Sequence, residues 1–169
     1  MIILGIDPGY AIVGFGVIKY EGNHFTTLKY GAVTTPAGMP FGDRLSLIFD
    51  GMNEIFSQFK IDAMSIEKLY FNTNTTTAID VAQARGVIML SAQKNSVAAF
   101  EYTPLQVKQS VTGYGKAVKK QVMEMTRILL CDIIYTDYSN HYIYIYLKDR
   151  LVRTHMSFDS FSPLLLAYP

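Results

Sequence analysis

Two carboxylates, each closing a short apolar run, carry the chemistry this sequence is equipped for. In Ile2-Ile3-Leu4-Gly5-Ile6-Asp7-Pro8-Gly9 the run ends on Asp7 and Pro-Gly then turns the chain away. In Asp62-Ala63-Met64-Ser65-Ile66-Glu67 a second run ends on Glu67. A charged carboxylate at the end of a buried strand is costly to desolvate unless something binds it. A divalent cation is the usual reason to place one there. Taken singly, Asp7 also reads as a turn residue bonding its own backbone, and Glu67 as half of a salt bridge. As a pair they read as ligands of one divalent ion, or as half of a two-metal site for in-line attack on a phosphodiester, with metals about 3.5–4 Å apart. Oxygen donors without clustered His or Cys favour Mg2+ or Mn2+ over zinc.

The spacing of apolar residues predicts the elements that must hold these groups. Residues 2 to 7, 12 to 20 and 25 to 34 read as strands rich in Ile, Val, Phe and Thr, with Gly22-Asn23 a hairpin turn between the second and third. Pro36, Gly38, Pro40 and Gly42 punctuate a loop. From Asp43 the period becomes helical, with Leu45, Ile48, Phe49, Met52, Ile55, Phe56 and Phe59 on one stripe. Residues 62 to 67 form a fourth strand. After a polar stretch at 72 to 77 a helix runs to about Lys94, and 96 to 102 is a fifth strand. Pro104 suits the first turn of a helix over 104 to 112, Gly113-Tyr114-Gly115 breaks it, and a last helix covers about 117 to 130. This order describes a mixed α/β domain. Ligand chemistry in open α/β sheets gathers at the carboxyl ends of the strands, so Asp7 and Glu67 meet if the first and fourth strands are adjacent.

Bulk properties narrow the field less. A chain of 169 residues fits one domain, or one with a short appendage. Net charge is +1, too near neutral to mark a nucleic-acid protein by itself. The charge is uneven, however: Lys108, Lys116, Lys119, Lys120 and Arg127 face a single acid, Glu124, across that stretch. Charge alone leaves an ordinary solvated helix face as the other reading. Cys131 is the only cysteine, so no disulfide forms within the chain. There is no basic stretch ahead of a long apolar run and nothing near the ~18 apolar residues of a membrane span. A soluble cytoplasmic protein is the expectation, with no membrane partner.

Several blocks together resemble one family. Gly5-Ile6-Asp7-Pro8-Gly9 with Gly14-Phe15-Gly16 resembles the opening of the RuvC crossover (Holliday) junction endodeoxyribonucleases. Ile66-Glu67-Lys68-Leu69-Tyr70-Phe71-Asn72-Thr73-Asn74, followed by Gln83-Ala84-Arg85-Gly86-Val87, is similar to the same family. So is Tyr102-Thr103-Pro104-Leu105-Gln106-Val107-Lys108-Gln109, through Gly113-Tyr114-Gly115-Lys116-Ala117, to Lys119-Lys120-Gln121-Val122. These blocks keep the family's order and spacing to about residue 130. The resemblance implies a ribonuclease H-like fold, a mixed five-stranded sheet flanked by helices. It also implies a homodimer that resolves four-way junctions in DNA recombination and repair by paired, metal-dependent cuts. It makes Asp7 and Glu67 catalytic metal ligands for Mg2+, with Mn2+ able to substitute. It places Tyr70, with Phe71 beside it, near the unstacked junction centre, where base stacking is worth ~1–3 kcal/mol. Simple core packing is the other reading of this aromatic pair. Lys108 and Lys119 match phosphate-contacting positions, and Lys116 and Lys120 extend that patch. Gln83-Ala84-Arg85-Gly86 is expected in helix packing at the dimer interface, or Arg85 at DNA. A branch-migration helicase is a partner by resemblance only.

The resemblance stops near Leu130, which divides a nuclease domain at 1–130 from a divergent tail at 131–169. The family continues into a helix opening Asp-Asp-x-x-Asp-Ala-Leu-Ala, whose acids complete the metal site. Ser139, Asn140, His141, Tyr142 and Ile143 stand where it should begin. Asp132 and Asp137 are the nearest acids and fit no matching pattern. The tail holds six of the twelve tyrosines, and Tyr142-Ile143-Tyr144-Ile145-Tyr146-Leu147 alternates like a strand where the family needs a helix. A frameshifted reading of the gene is the hypothesis this suggests, and the alternative frames of the encoding DNA test it. Two function classes follow: a junction-resolving endonuclease, and a catalytically impaired junction-binding protein. An actin-like ATPase also opens on such an Asp-Gly turn but needs two such domains.

Overall fold

The first three strands form a meander. β1 (Ile2–Asp7) pairs antiparallel with β2 (Ile12–Glu21), and β2 pairs antiparallel with β3 (His24–Thr34). At the reversal between β2 and β3, Gly22 takes φ +53°, a left-handed conformation that glycine adopts at little cost. Two parallel strands extend the other side: β4 (Ala63–Glu67) lies beside β1, and β5 (Ala98–Tyr102) beside β4. The sheet order is therefore β3-β2-β1-β4-β5. The computed structural model describes residues 1–22, 24–69 and 77–130.

Among the described residues, four helices flank the sheet: α1 (Phe41–Gln58), α2 (Ala78–Lys94), α3 (Pro104–Thr112) and α4 (Lys119–Leu130). α1 begins two residues before the spacing predicts. Pro40 occupies its N-cap position in extended backbone, and Gly42 falls in the first turn, whose amides have no partner inside the helix. β5 begins two residues later than expected because Ser96 takes a φ of 58° as the chain leaves α2. α4 also begins two residues later, where the Gln121 side chain accepts a bond from the Val118 amide at 3.0 Å. α3 follows its sequence signals closely. Thr103 and Gln106 form a reciprocal capping box, Pro104 opens the helix, and Gly113 ends it at φ +73°.

Side chains alternate across the sheet and separate two cores. Leu4, Ile6, Val13, Val17, Met64 and Ile66 point to one face, against Ile48, Met52, Ile55, Ala84 and Ile88 of α1 and α2. The α1 stripe read from the sequence is the one that makes this contact. Ile3, Ile18, Ala63 and Tyr102 belong to the other face, with Val107 and Val111 of α3, Ala117, and Val122 of α4. Each fully buried aliphatic side chain contributes about 1.5–3 kcal/mol of transfer free energy.

Candidate active site

The parallel ladder between β1 and β4 runs from Ile3 opposite Ala63 to Ile6 opposite Ile66. Asp7 and Glu67 are the next residues of that register, so they end adjacent strands side by side. Strand neighbours lie about 4.8 Å apart. Asp7 also pairs with Gly14 of β2, and Glu67 with Tyr102 of β5. Because Ile3 and Ala63 face α3 and α4, the period of two puts Asp7 and Glu67 on that same face. Both are half-buried. The adjacency expected from the sequence is thus present.

The turn after Asp7 is held tightly. A Cβ on Gly9 would lie 2.3 Å from the Ile12 carbonyl oxygen, a collision with backbone that only glycine avoids. The Thr35 hydroxyl donates to the Tyr10 carbonyl at 2.9 Å, and Arg44 donates to Thr35 Oγ1 at 3.1 Å and to the Met39 carbonyl at 3.2 Å. The same guanidinium lies 5.4 Å from the Tyr10 ring centre, within cation–π range. No short motif flags Thr35 or Arg44, because their roles arise only when the segments after β1 and β3 meet.

Arg85 makes contacts within its own chain that no local sequence signal announces. Its side chain is 17% exposed and turned inward from α2, where it pairs with the Glu101 carboxylate and donates from Nε to the Glu67 carbonyl at 3.2 Å. Ala84 beside it is fully buried in the core. Of the Gln83-Ala84-Arg85-Gly86 block, only Gln83 and Gly86 are exposed for contact with another molecule. Arg85 is therefore committed to strand ends within its own chain.

Near the site, Ser65 Oγ and Tyr102 Oη are buried without a hydrogen-bond partner among the described residues, as is Thr27 Oγ1 farther along the same face. Burial pushes the Tyr102 phenol well above its usual ionisation range, so it is neutral at any physiological pH. Lys108 is half-buried on α3, Lys116 is exposed before α4, and Lys119 and Lys120 are exposed in the first turn of α4. Cations in that turn oppose the helix dipole, a cost offset when a phosphate binds there. Tyr70, Phe71, Asp132, Asp137 and the whole tail lie outside the described residues.

The donor set suits a hard divalent ion in kind, since both groups are carboxylates. In number it is incomplete: among the described residues no three His, Cys, Asp or Glu gather to hold a metal.

A mixed sheet in this order, with carboxylates ending the central strand and its parallel neighbour, is the arrangement of the ribonuclease H-like nucleases. Comparison with known proteins makes the assignment specific. The chain belongs to the RuvC family, whose model, crossover junction endodeoxyribonuclease RuvC, matches residues 3–136. The family comprises metal-dependent nucleases. The chain is 54% identical over 130 residues to the RuvC of Ruminiclostridium cellulolyticum, covering 77% of this chain and 78% of that protein. It is 55% identical over 130 residues to the RuvC of Brevibacillus brevis, with the same coverage. Among solved structures, Thermus thermophilus RuvC matches with a TM-score of 0.85 at 27% identity, over 97% of this chain and 100% of that one. The same protein in complex with Holliday junction substrate matches at 0.86 and 27%, over 97% and 99%. A yeast mitochondrial Holliday junction resolvase shares the fold, with a TM-score of 0.60 at 10% identity, over 94% of this chain and 78% of that one. No helix among the described residues is long and apolar enough to cross a membrane.

Proposed function

We propose that this chain is a structure-selective endonuclease that resolves four-way DNA junctions by paired phosphodiester hydrolysis dependent on Mg2+, with Mn2+ able to substitute. The observation that carries this reading is the side-by-side placement of Asp7 and Glu67 at the ends of β1 and β4. These two carboxylates would hold the divalent ion. When bound, such an ion activates water and stabilises charge on the phosphate. Lys108, Lys116, Lys119 and Lys120 sit on or next to the helices that cover the same sheet face, and supply salt-sensitive affinity for the DNA backbone. Tyr70 and Phe71 stack on opened bases, an assignment that rests on the family resemblance.

The dimer is assigned to α2. Ile79 is 67% exposed and Leu90 is 51% exposed, and both share a helix stripe with Gly86, whose Cβ position is open space. An exposed apolar stripe with a small residue at its centre suits close approach of a second copy. The branch-migration helicase and a cytoplasmic setting are proposed on resemblance alone. Residues 131–169 are proposed as a divergent tail replacing the last acidic helix.

A second reading is favoured by one observation on the sequence: after Leu130 it lacks the acidic Asp-Asp-x-x-Asp-Ala-Leu-Ala helix opening of the family. On that reading the chain binds junctions without cutting them. Incubating the purified chain with a four-way junction and with linear duplex of the same sequence, in Mg2+ and in Mn2+, separates the two. Metal-dependent cleavage confined to the junction supports the nuclease, while retention of the junction without cleavage supports the binder.

A further inference from the structure

We infer that Arg85 is a positioning residue for the metal-binding carboxylate of Glu67, acting from behind the sheet. This rests on the reading of Asp7 and Glu67 as metal ligands. α2 packs on the face opposite the two carboxylates, and Arg85 works from that side. It reaches the backbone of the strand end. Its Nε donates to the Glu67 carbonyl at 3.2 Å, where β4 ends, and its terminal nitrogen pairs with Glu101 of β5. Just beyond, the Lys68 amide donates to the Tyr102 carbonyl at 2.9 Å, closing the β4–β5 ladder.

One planar guanidinium thus ties the last residue of β4 to the neighbouring strand. A fork of fixed geometry holds two acceptors at once, which a single ammonium point charge does poorly. The direction of the Glu67 side chain follows from the backbone that carries it, so fixing that carbonyl fixes where the carboxylate is offered. Groups that orient a metal ligand typically contribute 10–100-fold to metal affinity.

The test uses the full chain and measures Mn2+ binding by electron paramagnetic resonance, with junction binding in metal-free buffer and thermal melting alongside. Arg85→Ala is expected to weaken Mn2+ binding about tenfold. Its metal-free junction affinity is expected to stay within about twofold, because an inward-turned guanidinium paired with Glu101 is not offered to phosphate. Arg85→Lys, which keeps the charge beside Glu101, should recover part of the Mn2+ affinity. Unchanged Mn2+ affinity in Arg85→Ala overturns the inference, as does loss of metal-free junction binding with Mn2+ affinity intact. If Arg85→Ala does not fold, Arg85→Lys decides the matter: weaker Mn2+ binding at parental melting temperature supports the inference, and parental affinity overturns it. Asp7→Asn run in parallel isolates the underlying assumption. Should that variant bind Mn2+ like the parent, the carboxylate site itself is wrong.

Discussion

Among the described residues, fifteen buried ones form a cluster between the sheet and α1 and α2, whereas eight form the cluster beneath α3 and α4. The first side is also polar-satisfied where its helices meet. Ser91 donates to Asn53 at 2.9 Å, and Asn95 donates to the same oxygen at 3.0 Å. The second side leaves Ser65 Oγ and Tyr102 Oη without partners among the described residues, and it bears Asp7, Glu67 and the lysine-carrying helices. Among the described residues, the larger buried cluster lies on one face of the sheet and the candidate site on the other. Arg85 joins them, reaching from the packed side to the strand end that presents Glu67.

The largest effect expected from this division is chemical. Glu67→Gln should lower metal-dependent junction cleavage by at least about a hundredfold, the scale of losing one charge-stabilising group, with the melting temperature nearly unchanged. A variant that cuts at the parental rate would remove the chemistry from this face. The next effect is structural and compares the same substitution on both sides. Val17→Ala, in the larger cluster, should cost about 2–3 kcal/mol in chemical denaturation, and Val111→Ala, in the smaller, about 1 kcal/mol. Equal costs would erase the asymmetry. Lys119→Ala should weaken junction binding and reduce the slope of log affinity against log salt by about 1, without loss of stability. An unaltered slope would take that lysine out of the DNA contact.

The smallest expected effect concerns Tyr102. Its folded phenol ionises well above the ordinary value of about 10, so the unfolded chain alone gains from ionisation as pH rises through that value. Its contribution to stability is complete below about pH 10 and declines above it. Tyr102→Phe should therefore melt at or slightly above the parental temperature at neutral pH and lose less stability between about pH 9.5 and 11. A variant as alkali-sensitive as the parent would show that the phenol is not sequestered.

Local signals made much of this molecule legible in advance. A strand that must end at Asp7 is written in the Asp-Pro-Gly turn, and Thr103, Pro104, Gln106 and Gly113 define both ends of α3 by backbone chemistry that needs no tertiary contact. The stripe from Leu45 to Phe59 fixed the buried side of α1 by period alone. The partners of Arg85 within its own chain are hidden from local reading for the opposite reason. They lie 16 and 18 residues away in sequence, and only the packing of α2 behind β4 and β5 brings them together. The Thr35–Arg44–Tyr10 brace was missed likewise, since two loops must first converge. The aromatic pair Tyr70 and Phe71 and the tail fall outside the described residues, so their assignments rest on sequence alone.

The most direct test of the central claim compares the parent chain with Asp7→Asn on a synthetic four-way junction in Mn2+, resolving each labelled strand on a denaturing gel. Symmetric nicks on two opposed strands, absent from Asp7→Asn although both proteins retain the junction, are the expected result. Junction retention by both with no nick above the Asp7→Asn background would contradict the nuclease and leave a binding protein.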